Sequence, residues 1–102
     1  MTDLNRRWKW SFWRGAYVNN VDRRFIKIKW IGARKFYFVY FTDDGRAFVE
    51  AENTYDGTIV WPGRTQDWLT HSGTTRMTEQ ERDAIVADLR EAARVTVNNT
   101  DP

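Results

Sequence analysis

The chain contains no cysteine, which excludes a disulfide framework, a thiol nucleophile and thiolate metal ligation, and suits a reducing compartment. Its one histidine, His71, would leave most ligands of a zinc site to carboxylates, so neither a metal nor any other cofactor is expected. No apolar run approaches the roughly 18 residues that a membrane span requires. The basic N-terminus is not followed by the apolar segment and small-residue cleavage site of a signal peptide. A cytoplasmic protein without membrane contact is expected. Prolines number two, and no repeat, low-complexity tract or Pro/Gly/Ser linker offers a natural domain boundary. A single domain over residues 1–102 is therefore expected, ordered from about residue 8 to residue 96.

What the chain does have is aromatic side chains and charge. Aromatics make up 16% and hydrophobic residues 41%, so the low mean hydropathy reflects many charges laid over an adequate core rather than a disordered polymer. The net charge of +2 conceals a division. Residues 1–40 carry ten Lys/Arg against Asp3 and Asp22, a net +8, whereas 41–102 carry six basic and twelve acidic residues, a net −6. Mutual neutralisation on folding is the expectation for a domain this small.

Periodicity predicts an α+β fold: an antiparallel β-meander of about five strands with one C-terminal α-helix packed on the sheet. Trp8, Trp10 and Phe12 alternate with Lys9 and Ser11, the period of a half-buried strand that ends near Gly15. After Asn19-Asn20, Ile26, Ile28 and Trp30 point one way and Lys27 and Lys29 the other. Phe36 to Phe41 is apolar at every position, which predicts a central strand covered on both faces. Asp43-Asp44-Gly45 supplies the positive-φ tolerance of a tight hairpin before a strand at Ala47 to Glu52. Thr58 to Trp61 follows as a short strand closed by Pro62-Gly63. The segment 64–76 is expected to be a loop or helical turn anchored by Trp68-Leu69.

The closing helix has the clearest local signature. Thr78 as N-cap and Glu81 three residues later form a capping box. Acidic residues sit at its start, and Arg90 and Arg94 at its end, as the helix dipole favours. Ile85, Val86, Leu89, Ala92 and Ala93 share one side, a stripe too thin to form a core without the aromatic sheet.

Catalytic chemistry finds little support. His71 and Ser72 adjoin in sequence, which makes no catalytic pair without an orienting carboxylate and an oxyanion hole. The carboxylates Asp43, Asp44, Glu50, Glu52 and Asp56 gather around the hairpin and the next turn. Turn chemistry and a wet sheet face explain them more simply than a dyad or a magnesium site, and as a functional feature they read as a docking patch for a partner. The run containing Arg6, Arg7, Lys9, Trp13 and Arg14 interleaves cations with rings, as single-stranded nucleic-acid binding requires. The same alternation serves a first strand burying its rings, so nucleic-acid binding ranks second, to rise if Trp13 or another ring proves exposed beside Arg6, Arg7 or Arg14. An exposed edge strand in a short meander also leaves room for a homodimer.

From Tyr40 onward the order of features resembles a family of small bacterial immunity proteins of polymorphic toxin systems. The residues that carry it are Tyr40 through Asp44-Gly45-Arg46, Glu52, Thr58-Ile59-Val60, Trp68, and Thr78-Glu79-Gln80-Glu81-Arg82 opening a helix with Ile85, Leu89 and Ala92. The basic, aromatic first third departs from that pattern. The resemblance implies a non-enzymatic protein that occludes a cognate toxin. Because toxins that attack nucleic acid tend to be basic, it makes the acidic cluster the expected contact surface.

Overall fold

The computed structural model describes residues 7–22 and 24–98. They form a curled, mostly antiparallel sheet, a half-barrel of nine strands, with one helix packed against it. The strands are β1 (Trp8–Ser11), β2 (Ala16–Asn19), β3 (Phe25–Trp30), β4 (Lys35–Phe41), β5 (Arg46–Thr54), β6 (Gly57–Trp61), β7 (Asp67–Thr70), β8 (Gly73–Arg76) and β9 (Thr96–Val97), with helix α1 (Glu79–Ala93) between the last two. The main order is β1-β2-β3-β4-β5-β6-β9; β9 runs parallel to β6, and β7 joins β5 at Arg46 and pairs with β8.

The meander of five strands is thus a core within a larger sheet, and four expectations need correction. The first strand is a hairpin, because the chain reverses through residues 12–15, with Gly15 at φ 60°, and returns as β2. The segment 64–76 is neither loop nor helix. It is a hairpin that turns at His71-Ser72 into Gly73, whose φ of 131° suits a residue without Cβ. Gly45 corrects the chemistry of its own turn. It does not adopt positive φ; an added Cβ would stand 2.5 Å from the Leu69 carbonyl oxygen, so glycine is there to let β7 approach.

The register sorts the residues onto two faces. On the helix side, Tyr17, Ile26, Tyr40 and Ala47 lie across neighbouring strands, as do Phe38 and Val49 beside Ile28, and Phe36, Ala51 and Val60 beside Trp30. Ile26, Phe36, Phe38, Tyr40, Ala47, Val49, Ala51 and Val60 of this side make the buried core with Ile85 and Leu89 of the helix, and Tyr17 and Ile28 pack partly buried against it. The opposite face carries Lys9, Val18, Phe25, Phe41 and Arg46 in one row, then Lys27, Val39 and Phe48, then Lys29, Tyr37, Glu50 and Trp61, then Lys35, Glu52 and Ile59. No second layer covers this outer face among the described residues. The continuous apolar run of β4 therefore does not mark a strand buried on both sides. Val39 is hidden by its own neighbours, while Tyr37 and Phe41 stay partly exposed.

Helix α1 follows its sequence signature. Thr78 Oγ1 accepts from the Glu81 amide at 3.1 Å, and the Thr78 amide donates to Glu81 Oε1 at 2.8 Å. That hydrogen bond to the backbone holds the Glu81 carboxyl below its ordinary value. Arg94 ends the helix in the left-handed region at φ 54°.

Candidate partner interface

The candidate surface is set by where the helix ends its cover. Side chains of α1 reach the end of the sheet where β1 and β3 begin and β4 finishes. Asp88, only 4% exposed, lies at the centre. Its Oδ2 accepts from Arg24 Nη1 at 2.6 Å and from the Tyr40 hydroxyl at 2.6 Å, and its Oδ1 accepts from Trp8 Nε1 at 3.4 Å. Arg24 also donates to the Tyr40 oxygen at 2.7 Å and to Asp22 at 2.6 Å, and its guanidinium lies 5.7 Å from the Trp8 ring centroid. Arg7 pairs with Glu91 at 2.7 Å beside this cluster, which holds the Glu91 carboxyl below its ordinary value. Burial pushes the Tyr40 phenol well above its ordinary value, and the Asp88 carboxylate that accepts its proton adds to the shift. A buried carboxylate with a cation and two further donors is satisfied, and its network pins helix to sheet.

At the other end of the strands lie the turns 12–15, 31–34 and 55–56, and rings stand in solvent there. Trp13 is 100% exposed, Phe12 90%, Trp30 55% and Trp10 40%, with Ile31 and Tyr55 also outside. Three of them rest on other rings: Trp10 meets Tyr17 edge-on at 4.9 Å and Phe12 at 6.4 Å, and Trp30 tilts against Phe36 at 4.9 Å. The sequence pattern put Trp8, Trp10 and Phe12 on one face of a strand, but β1 ends at Ser11, Phe12 lies in the turn, and burial reaches only Trp8, at 2%. Trp30, expected to be buried with Ile26 and Ile28, projects past the helix's cover. An apolar cluster rimmed by Arg14, Arg34 and Lys35 is the kind of surface that marks a protein contact.

The other sequence-derived residues are dispersed. Asp43 and Asp44 occupy the turn before β5, and Asp56 the turn after it, so this nine-residue strand separates them by roughly 25–30 Å. Glu50 is ion-paired with Arg64, and Glu52 lies opposite Lys35. The five carboxylates do not form one patch, because β5 holds its two turns at opposite ends of the sheet. Of the basic run, Arg6 lies outside the described residues, Arg7 is committed to Glu91, and Lys9 is exposed on the outer face. Trp13 and Arg14 are exposed on the β1–β2 turn.

His71 does meet Asp43 and Asp44 along one open cleft of about 210 Å³, shared with Thr42, Arg46 and Thr70. No hydrogen bond joins His71 to either carboxylate, and no group of three metal-ligating side chains occurs among the described residues. Nor is any helix there long and apolar enough to cross a membrane. Asp88 is the important residue that sequence reasoning missed. Its signal was an acid three positions after Ile85, on the helix side otherwise apolar. Comparison with protein-family models, curated proteins and solved structures found no match, so the reading of this surface rests on its geometry.

Proposed function

We propose that the protein is a non-enzymatic protein-binding module that docks its partner on the aromatic end of the sheet. The observation that supports this most is that Trp10, Phe12, Trp13 and Trp30 are all exposed at one end of the sheet, Trp10 held against Phe12 and Tyr17 and Trp30 against Phe36. Such rings contribute large contact area and lose little side-chain freedom on binding, and tryptophan, tyrosine and arginine are the residues that dominate interface energetics. The sequence resemblance gives the partner its class, a bacterial toxin neutralised by occlusion. The dispersal of the carboxylates moves the proposed contact from the acidic hairpin to the aromatic end.

The test is neutralisation in cells that co-express the protein with a toxin encoded beside its gene. Replacing Phe12 and Trp13 together by serine is expected to abolish protection, and Asp43→Lys with Asp44→Lys is expected to preserve it. Protection lost in the charge-reversal variant and kept in the serine variant would return the contact to the hairpin.

A further inference from the structure

The outer face of the sheet is separate from the aromatic end, and its chemistry is different. Phe25 and Phe41 stack across β3 and β4 with centroids 4.5 Å apart and planes 11° from parallel, and Phe48 meets Tyr37 edge-on at 5.7 Å. Lys27 Nζ lies 5.8 Å from the Phe25 centroid and 5.9 Å from that of Phe41. Lys29 Nζ and the Arg46 guanidinium each lie 5.9 Å from the Phe48 centroid. Lys27, Lys29, Phe41, Arg46 and Phe48 line an open depression of about 320 Å³. A second depression, of about 510 Å³, lies beyond Phe25 and is bordered by Arg14 and Val18, with Asp22 and Asp43 on its margin.

The decisive feature is the imbalance of charge. Glu50 is paired with Arg64 and Asp22 with Arg24, Glu52 stands opposite Lys35, and Asp43, at the turn end of the face, borders Phe25, Phe41 and Arg46 without an ion pair among the described residues. Lys27, Lys29 and Arg46 have no carboxylate partner among the described residues; ring faces are their neighbours. Cations seated on rings can exchange that weak attraction for a phosphate, and the exchange uncovers a flat apolar surface.

We infer that this face binds single-stranded nucleic acid, with Lys27, Lys29 and Arg46 taking phosphates and Phe41 and Phe48 taking bases. An acidic peptide would satisfy the cations and leave the rings unused. A duplex keeps its bases stacked out of reach of a sheet surface.

The experiment is fluorescence anisotropy with a labelled single strand of about 12 nucleotides, a length within the site sizes of single-strand binders. The same sequence as a duplex, and polyglutamate, serve as competitors at two salt concentrations. Single strands are expected to compete at least about tenfold better than either. Lys27→Gln, Lys29→Gln and Arg46→Gln should each weaken binding and reduce the slope of log affinity against log salt by about 0.7. Phe48→Leu should weaken it roughly fivefold or more at unchanged slope. The glutamine variants are exposed-site changes, and equal melting temperatures will show that they fold. No binding, equal competition by duplex or polyglutamate, or a salt slope indifferent to the three cations would overturn the inference. Because none of these variants touches the aromatic end, toxin neutralisation and oligonucleotide binding can fail independently.

Discussion

Trp8 and Trp13 stand five positions apart in one basic, aromatic run, and the fold treats them in opposite ways. Trp8 lies under the helix, donates its indole N–H to Asp88 and tilts against Tyr40 at 6.2 Å. Trp13 sits on a hairpin turn with its whole side chain in solvent. The difference is the reach of α1, whose Asp88 and Glu91 hold Trp8, Arg24, Tyr40 and Arg7 at the end of the sheet where β1 begins. Similar residues therefore stabilise the fold at one end and stand free to bind at the other.

Breaking the buried end should have the largest effect. Trp8→Ala removes a core ring and is expected to cost about 3–5 kcal/mol of unfolding free energy by denaturant titration, and Asp88→Ala, which takes the shared acceptor from Trp8 and Tyr40 while Arg24 keeps Asp22, about 1–3 kcal/mol. A loss below about 1 kcal/mol in both would mean that the network does not hold helix to sheet.

A smaller effect on the same network is its dependence on pH. The Tyr40 phenol is raised above its ordinary value of 10.0, so the folded state binds its proton more tightly. That contribution is complete below pH 10 and is lost as pH rises beyond it. The Glu91 carboxyl is lowered from 4.5 by Arg7, so its contribution is complete above that value and lost as pH falls. Thermal unfolding should show both limbs, with Tyr40→Phe flattening the alkaline one and Glu91→Gln the weaker acid one. An alkaline limb unchanged in Tyr40→Phe would assign it to another group.

Much of this architecture was legible in the sequence because it rests on local rules. The Thr78–Glu81 box, the alternation through Ile26, Ile28 and Trp30, and the hairpin after Phe41 are set by neighbours in the chain. The failures have non-local causes. Phe12-Trp13 is not turn chemistry, so the reversal that creates β2 left only Gly15 as a sign. The β7–β8 hairpin is polar and takes its place from the edge that β6 leaves open on β5. Burial of Trp8 and exposure of Trp10 depend on how far a helix some 80 positions away extends, which no periodicity encodes. The run Phe36 to Phe41 reads as doubly covered because it is apolar at every position, whereas Phe41 is flanked on the outer face by Phe25 and Lys27, distant in sequence, and no second layer of the described residues lies there.

The central claim is that the aromatic end is free for a partner and contributes little to the fold. Its most direct test is the affinity of Trp13→Ala for the proposed partner, a toxin encoded beside the gene, by calorimetry, beside its own melting temperature. Affinity should fall at least about tenfold while melting stays unchanged. Wild-type affinity in this variant, or a melting temperature reduced as far as that of Trp8→Ala, would contradict it.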